Sequence, residues 1–413
     1  MIFKRACKSD SSIARALVIT LTVLMFVIAA PAASAQTIQL SVDPAKAGPK
    51  INRNLFGQFA EHLGYGIYQG IWVGPDSTIP NTRGIRNDVV AALKALKVPN
   101  VRWPGGCFAD EYHWRNGIGP QRAVTLNPNW GGVIEPNTFG THEFMDFLDQ
   151  IGADAYVSVN IGSGTPHEAA DWLEYMTTAQ PTTLAKERAS NGHPAPWKIG
   201  YLGLGNESWD CGGNMSADYY LSQMKIYTHF VRNFNPAQQP VQQPGHPAEQ
   251  KDQQMLKVAV GPGGSEPRWT EWTDTIMKAY QHHTWSWDID ALSMHYYTVV
   301  SWENKLASQD FGEADYARFL KATLDIDGVI NQHSAIMDKY DPQKKVALAI
   351  DEWGAWYAPL PGSNPGFLVQ QNSLRDAVLA ALNLNIFARH ADRVRMANIA
   401  QMVNVLQAMI MTD

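Results

Sequence analysis

The sequence predicts an α/β protein folded as a (β/α)8 barrel. Three observations carry that expectation. Short apolar strands alternate with amphipathic helices along most of the chain, eight such strands can be placed, and polar residues gather where the strands end. Alternation of this kind argues for a parallel sheet with helical crossovers.

The strands are expected at 55–59, 101–103, 155–159, 199–204, 257–260, 291–294, 346–350 and 395–399. Each is a short apolar run closed by a Gly-rich or polar cluster. Helices fill the gaps. Asp88 to Leu96 reads as one, closed by Pro99 before the next strand. Thr141 can cap another, whose Phe144, Phe147, Leu148 and Ile151 share a face and which Gly152 stops. Ser216 can cap a third, with Tyr220, Met224, Tyr227 and Val231 on one side. The rival, an open doubly wound sheet, calls for a Gly-rich phosphate loop after its first strand. The first junction instead reads Gly57-Gln58-Phe59-Ala60-Glu61-His62.

Two stretches fall outside the rhythm. Residues 235–253 are rich in Pro and Gln without apolar period, and read as a long exposed loop. From Thr37 to Val42, apolar and polar residues alternate as in a half-buried strand that needs a sheet elsewhere. Further upstream, Lys4, Arg5, Lys8 and Arg15 precede an apolar run from Ala16 to Ala30 and then Ala33-Ser34-Ala35. That pattern reads as a signal peptide over 1–35, too short in its apolar part for a membrane span. The expected organisation is therefore a leader at 1–35, a strand segment at 36–50 and a barrel over 51–413, in a secreted or periplasmic protein. Cleavage would leave two cysteines, Cys107 and Cys211. Each follows a barrel strand, and export would favour a disulfide between them; two buried thiols are the other reading.

Composition narrows the partners. The 413 residues are 45% hydrophobic and 17% charged, with a net charge of −6 and no long basic run. Nucleic acid is therefore not expected as a partner, nor a membrane after leader cleavage, since no other stretch is apolar enough to span one.

In a barrel of this type, chemistry sits at the C-terminal ends of the strands. There the sequence places Glu61 and His62, then Arg102-Trp103-Pro104-Gly105-Gly106-Cys107, then Asn160. Asn206-Glu207-Ser208-Trp209, His295-Tyr296-Tyr297, Asp351-Glu352-Trp353 and the Asn398, Gln401, Asn404 group follow. Taken singly, a glutamate at a strand end caps a helix or faces water, and a tryptophan packs in a core. Their convergence on one rim suits sugar chemistry. Retaining cleavage of a glycosidic bond needs two carboxyl groups about 5 Å apart, while amides, Arg and His bind hydroxyls. A metal site is not expected from His295 and Glu61 alone, and a serine triad lacks its Gly-x-Ser-x-Gly elbow.

The ordered motifs Phe56-Gly57-Gln58-Phe59-Ala60-Glu61-His62-Leu63-Gly64, Val101-Arg102-Trp103-Pro104-Gly105-Gly106, Gly205-Asn206-Glu207, Asp351-Glu352-Trp353-Gly354 and Asn398-Ile399-Ala400-Gln401-Met402-Val403-Asn404 resemble family 51 α-L-arabinofuranosidases, retaining glycosidases of clan A. The resemblance runs from Ile51 to the end of the chain. It implies Glu207 as acid/base and Glu352 as nucleophile. It implies Glu61, Arg102, Asn206, His295, Tyr297 and Gln401 around the sugar ring. Many members carry Asn after Pro-Gly-Gly, where this chain has Cys107. The resemblance further implies exo-acting release of arabinofuranosyl residues from arabinan, arabinoxylan or their oligosaccharides, with no cofactor and with room for a homo-oligomer; an endo-β-glycanase of the same clan and a sugar-binding homologue without catalysis are the alternatives. It also implies a C-terminal β-sandwich which the N-terminal strand would join, and which a chain ending at Met411-Thr412-Asp413 is expected to lack.

Simple alternation makes two geometric statements about the carboxylates. Leu348, Ile350 and Glu352 should share a face. Asn206 and Glu207 should face opposite ways, unless the strand ends or bulges between them.

Overall fold

The computed structural model describes residues 39, 41–239 and 254–412. Pro49–Asp413 is one compact unit and Met1–Gly48 another. Of the expected leader at 1–35, all residues lie outside the described set. Of the expected strand from Thr37 to Val42, Gln39, Ser41 and Val42 are described and none is in a strand; Val42 is 83% exposed. Thr37, Ile38 and Leu40 lie outside the described set. The described part of this unit holds one 3-10 turn, Pro44–Lys46, capped by the Asp43 carboxylate.

Eight parallel strands close into a barrel in sequence order. They are β1 (Gly57–Phe59), β2 (Asn100–Trp103), β3 (Asp154–Val159), β4 (Tyr201–Leu204), β5 (Leu256–Ala259), β6 (Ala291–Thr298), β7 (Ala347–Ala355) and β8 (Val394–Ile399). The ring closes where β1 pairs with both β2 and β8, through Gln58 opposite Val101 and Gly57 opposite Asn398. The expected strands are thus present, with their ends adjusted. Leu55 and Phe56 fall in a 3-10 turn, because Asn52 caps it by accepting from the Asn54 amide.

The crossovers include α1 (Asn87–Leu96), α2 (Thr141–Ile151), α3 (Pro166–Thr177), α4 (Thr183–Ser190) and α5 (Ala217–Phe230). After β5 come α6 (Pro267–Gln281), α7 (Glu313–Thr323), α8 (Asp325–Tyr340) and α9 (Leu374–Arg389). Ser216 caps α5 as its sequence suggests, accepting from the Tyr219 amide. Thr141 does not cap α2. It is already helical, and its Oγ1 accepts from Trp172 Nε1 at 3.0 Å. Gly140 takes the cap position, and its amide donates to the Glu143 carboxylate at 2.9 Å. Gly152 ends the helix in the left-handed region, φ 76°.

The segment expected as an exposed loop departs from that reading at its start. Pro236–Gln238 is a 3-10 turn, and Gln238 is buried because its amide pairs with both the N–H and the C=O of Ile199. Residues 240–253 lie outside the described set.

Two apolar layers form around the strands. Leu348 and Ile350 join Ile330, Met337, Ile386 and Phe387 in the large cluster between strands and helices. Tyr156, Val258, Ala291, Ala347, Ala349 and Met396 form a separate cluster that fills the barrel interior. Each fully buried aliphatic side chain in these layers contributes about 1.5–3 kcal/mol.

Candidate active site

Above the interior layer, apolar side chains give way to charge. Arg102 on β2 is 1% exposed, and a guanidinium there needs partners. It has them: Nη1 donates to Glu352 Oε1 at 2.7 Å, Nη2 donates to Asn206 Oδ1 at 2.6 Å, and Nε lies 3.5 Å from Asp351 Oδ2. The neighbouring Asp351 and Glu352 charges outweigh its burial, and the guanidinium is held above its already high range. Asp351 also accepts from Tyr156 Oη at 2.6 Å and from Ser293 Oγ. Burial would raise the Asp351 carboxyl, but Arg102 and His295 hold it well below the usual carboxylate range.

Asp351 and Glu352 are consecutive, yet both face this chamber. The reason is a bulge in β7. Against β6, Ser293 pairs with Ala349 and His295 with Glu352, so β7 carries one extra residue. The pairing with β8 shifts over the same stretch, between Ile350 and Trp353. The expected face of Leu348, Ile350 and Glu352 is therefore corrected. Leu348 and Ile350 point to the helices, and the bulge brings Glu352 inward past them.

Asn206 and Glu207 also depart from alternation, by another means. β4 ends at Leu204, Gly205 has φ +86°, and Glu207 has φ 38°. Two left-handed residues flank Asn206 and turn both polar side chains into the chamber. Glu207 Oε1 lies 2.8 Å from His295 Nδ1, and Glu352 Oε2 lies 3.5 Å from the same nitrogen. The ligating atoms of Glu207, His295 and Glu352 all lie within 4.8 Å of one another. Tyr297 Oη donates to Glu352 Oε2 at 2.8 Å.

The electrostatics follow from that crowding. Burial raises the Glu207 carboxyl; His295 pulls it down, and the Glu352 and Asp210 charges push it further up. The net direction is upward, with the side chain 20% accessible at the cavity mouth. Burial would lower His295, but Glu352, Asp351 and Glu207 together push it up to about 10. Glu61 on the opposite wall is pushed up to about 7, by burial first and then by the Glu352 charge. It accepts from the Phe108 amide at 3.0 Å, from Trp130 Nε1 at 2.8 Å and from Gln401 Nε2 at 3.0 Å.

These side chains surround a small cavity of about 60 Å³ lined by Glu61, Cys107, Asn206, Glu207, Tyr297, Glu352 and Gln401, with Trp130, Trp356, Leu368 and Leu406 among its apolar walls. A larger recess of 640 Å³, with Asn54, Asp154 and Tyr201 in its lining, lies at the opposite end of the barrel, away from the paired carboxylates. Cys107 and Cys211 are joined in a disulfide, Cα to Cα 5.5 Å. Cys211 Sγ sits 3.7 Å from Glu207 Oε2 and 3.8 Å from Asn206 Nδ2. Both sulfurs are bonded, so neither has a proton to donate and neither is a thiolate ligand. The Glu207, His295 and Glu352 group has the spacing for a cation, but Arg102 and Tyr297 already donate to its Glu352 oxygens.

Other polar residues at strand ends serve the frame. His62 Nε2 accepts from Trp103 Nε1 at 3.1 Å, so Nδ1 carries the proton toward Glu135 Oε2 at 3.0 Å. Asn160 folds its own loop by accepting from the Ser163 and Gly164 amides. Asn398 binds Gln58 and Asn100 within the barrel, and Asn404 binds Tyr65 and Thr412. Trp103 and Trp353 are core. The sequence reading did not single out Trp130 or Asp110. Trp130 sits in the turn Asn127-Pro128-Asn129-Trp130-Gly131-Gly132 between strands Thr125–Asn127 and Val133–Glu135, a turn signal legible in the composition.

Comparison with known proteins identifies the family. The family described as "Alpha-L-arabinofuranosidase 1 domain" matches residues 92–286, and "Alpha-L-arabinofuranosidase C-terminal domain" matches residues 351–413. An intracellular exo-α-L-arabinofuranosidase of Bacteroides ovatus is 46% identical over 94% of this chain and 71% of its own length. A solved family 51 arabinofuranosidase from Xanthomonas axonopodis pv. citri is 54% identical, with a TM-score of 0.82 over 90% of this chain and 71% of that one. The arabinose complex of the Thermotoga maritima α-L-arabinofuranosidase is 32% identical, with a TM-score of 0.74 over 90% and 69%. One expectation is corrected here. The Bacteroides relative is named intracellular, which points against a secreted or periplasmic location. The export reading rested on the basic residues Lys4, Arg5, Lys8 and Arg15, the apolar run and the small-x-small pattern, all within residues outside the described set. Among the described residues, no helix is long and apolar enough to cross a membrane. With nearly half its residues identical to a curated exo-arabinofuranosidase across almost its whole length, this chain belongs to the family 51 α-L-arabinofuranosidases of the glycoside hydrolases.

Proposed function

We propose that this enzyme releases terminal α-L-arabinofuranosyl residues from arabinan, arabinoxylan or their oligosaccharides by double displacement with retention. The observation that carries the reading is the placement of Glu207 and Glu352 about one histidine nitrogen, with ligating atoms within 4.8 Å. Retaining enzymes hold their carboxyl groups about 5–5.5 Å apart, and inverting enzymes about 6.5–9.5 Å. A small pocket walled by Trp130, Leu368 and Leu406 suits one terminal ring rather than the middle of a polymer.

In the first step Glu352 attacks the anomeric carbon and the bond to the leaving oxygen breaks. Glu207 gives that oxygen its proton. His295 donates to Glu207 Oε1, which leaves Oε2 to carry the acid's proton. Arg102 and Tyr297 hold Glu352 on line. In the second step water attacks the same carbon, Glu207 takes the water's proton, and the Glu352 ester is released. Glu61, Asn206 and Gln401 supply donors and acceptors for ring hydroxyls.

Proton NMR of a fresh digest of a nitrophenyl α-L-arabinofuranoside tests this. The first-formed arabinose should be the α anomer, and nitrophenyl glucoside and β-xyloside should turn over far more slowly. First-formed β-arabinose would overturn the retaining mechanism.

A further inference from the structure

We propose that Asp110 is a positioning residue for the acid/base step. Its buried carboxylate holds the Asn206 peptide, and thereby fixes the direction from which Glu207 meets the glycosidic oxygen. The proposal rests on the reading of Glu207 as acid/base.

Asp110 lies in the 3-10 turn Cys107–Asp110 that follows β2, and it is 2% exposed. Its Oδ2 accepts from the Asn206 amide at 2.7 Å. Its Oδ1 accepts from the amides of Ile161 and Gly162 at 2.7 and 2.8 Å, just past the end of β3. Its backbone carbonyl accepts from Ser163 Oγ at 2.8 Å. One side chain therefore ties together the rims of β2, β3 and β4.

That tie sits where the sheet can no longer do the work. β4 ends at Leu204, so the Asn206 amide has left the ladder while still 1% exposed. A buried amide needs an acceptor, and Asp110 provides it. On either side of that amide, Gly205 and Glu207 have φ of +86° and 38°. A glutamate at positive φ persists when its surroundings fix it. After Glu207 the chain doubles back, with the Asp210 and Gly212 amides donating to the Glu207 carbonyl at 2.7 and 3.1 Å.

The fit around the carboxylate is close. A Cβ on Gly212 would lie 2.7 Å from Asp110 Oδ2 and 1.7 Å from the Asn206 carbonyl oxygen. A Cβ on Gly162 would lie 2.8 Å from Asp110 Cβ. Asp110 is thus cupped by two backbones that approach without side chains, and its carboxylate is given over to amides. It does not line the sugar cavity.

Asp110→Asn tests the assignment. A carboxamide nitrogen cannot accept, so at least one of the three amides loses its partner. A displacement of the Glu207 carboxyl by about 1 Å costs on the order of 100-fold in rate. For arabino-oligosaccharides, whose leaving sugar needs a proton, kcat should fall about 100-fold while KM holds within about threefold. For a dinitrophenyl arabinofuranoside, which leaves without a proton, the first step should fall far less. A merely structural role gives equal loss on both substrates, matching the loss of titratable active sites, and that result overturns the proposal, as does unchanged activity. Should Asp110→Asn not fold, Gly162→Ala presses first on Asp110, whose Cβ would lie 2.8 Å from the new Cβ, and less on the Gly212 carbonyl at 3.1 Å; no atom of Asn206 or Glu207 is among its three nearest neighbours. It should show the same split between leaving groups at about 10-fold, and an equal loss or no loss there overturns the proposal. Glu207→Ala is measured alongside. If it shows the split and the Asp110 and Gly162 variants do not, the acid/base reading stands and the Asp110 proposal alone falls. If Glu207→Ala shows none, both fall.

Discussion

Glu352 and Glu207 reach one cavity along different backbone routes. Glu352 lies within a nine-residue strand, β7, whose ladder continues on both sides of a bulge. Glu207 lies beyond the end of β4, between left-handed turns and off the ladder. A bulge inserts one residue and lets the flanking hydrogen bonds hold it. A turn past the strand end has no such frame, and there a buried side chain supplies the acceptor. The difference matches two chemical tasks. The proposed nucleophile, Glu352, needs in-line approach to one carbon, and it accepts from both Arg102 and Tyr297. The proposed acid/base, Glu207, would serve a leaving oxygen and then a water, and its carboxylate is bonded to His295.

Four measurements break or sharpen that comparison. The largest effect belongs to the laddered carboxylate. Glu352→Ala should lower turnover of every substrate by on the order of 10⁴–10⁶-fold, and added azide should restore cleavage with inverted configuration. Native-like turnover in this variant would sink the nucleophile assignment. Next comes the turned carboxylate. Glu207→Ala should cost roughly 10²–10⁴-fold on oligosaccharides. On a dinitrophenyl substrate it should give a phenol burst followed by slow turnover that azide accelerates with retention. Equal losses across leaving groups, with no burst, count against the acid/base role.

A smaller loss is expected for the grip on Glu352. Tyr297→Phe removes a hydrogen bond to a carboxylate, worth about 1.5–3 kcal/mol, so kcat should fall about 10- to 100-fold. That loss should be the same for good and poor leaving groups when the first step limits. A leaving-group dependence like that of Glu207→Ala would show that Tyr297 acts on the wrong carboxylate.

The smallest effect is one of pH. His295 is pushed up to about 10 in the folded protein, against about 6.5 unfolded. A cation favoured by folding stabilises fully below pH about 6.5, and that contribution is lost as pH rises toward about 10. The melting temperature of the wild type should therefore exceed that of His295→Gln by a few degrees at pH 6 and by less at pH 10. A difference that stays flat across that window means His295 is not cationic in the folded enzyme.

The barrel was legible because its strands are short apolar runs with helical periods between them. Val157, Val159, Leu202 and Leu204 declare themselves by composition, and burial bears this out. The rim residues were legible as motifs, and Glu61, Asn206, Glu207, Tyr297, Glu352 and Gln401 line one cavity. What alternation could not supply was direction. A bulge at Asp351 and left-handed turns at Gly205 and Glu207 arise from pairing with distant strands, and no local period encodes them. Asp110 escaped for a related reason. Its partners are backbone amides of residues about 50 and 96 positions away, which leave no side-chain pattern to read. Trp130 carried a signal that went unused, a Pro-Asn-Trp-Gly-Gly turn between apolar residues. The location read from the composition of residues 1–35 is overturned by the relative's being named intracellular, and the folded barrel carries no feature that bears on it.

The glycine cup around Asp110 also sets how this enzyme can be diversified. A library that varies Gly212 spends its members on proteins that cannot close the turn, since any Cβ would overlap the Asn206 carbonyl. Gly261, whose Cβ would lie 1.8 Å from the Ser293 carbonyl oxygen, is equally closed to exchange. At Gly162 an added Cβ would lie 2.8 Å from Asp110 Cβ, so exchange there strains the amide tie without closing the turn outright. Exchanges meant to reshape the cavity are better placed in its apolar wall, at Leu63, Trp356, Leu368 and Leu406, whose side chains line it without meeting these glycines' backbone.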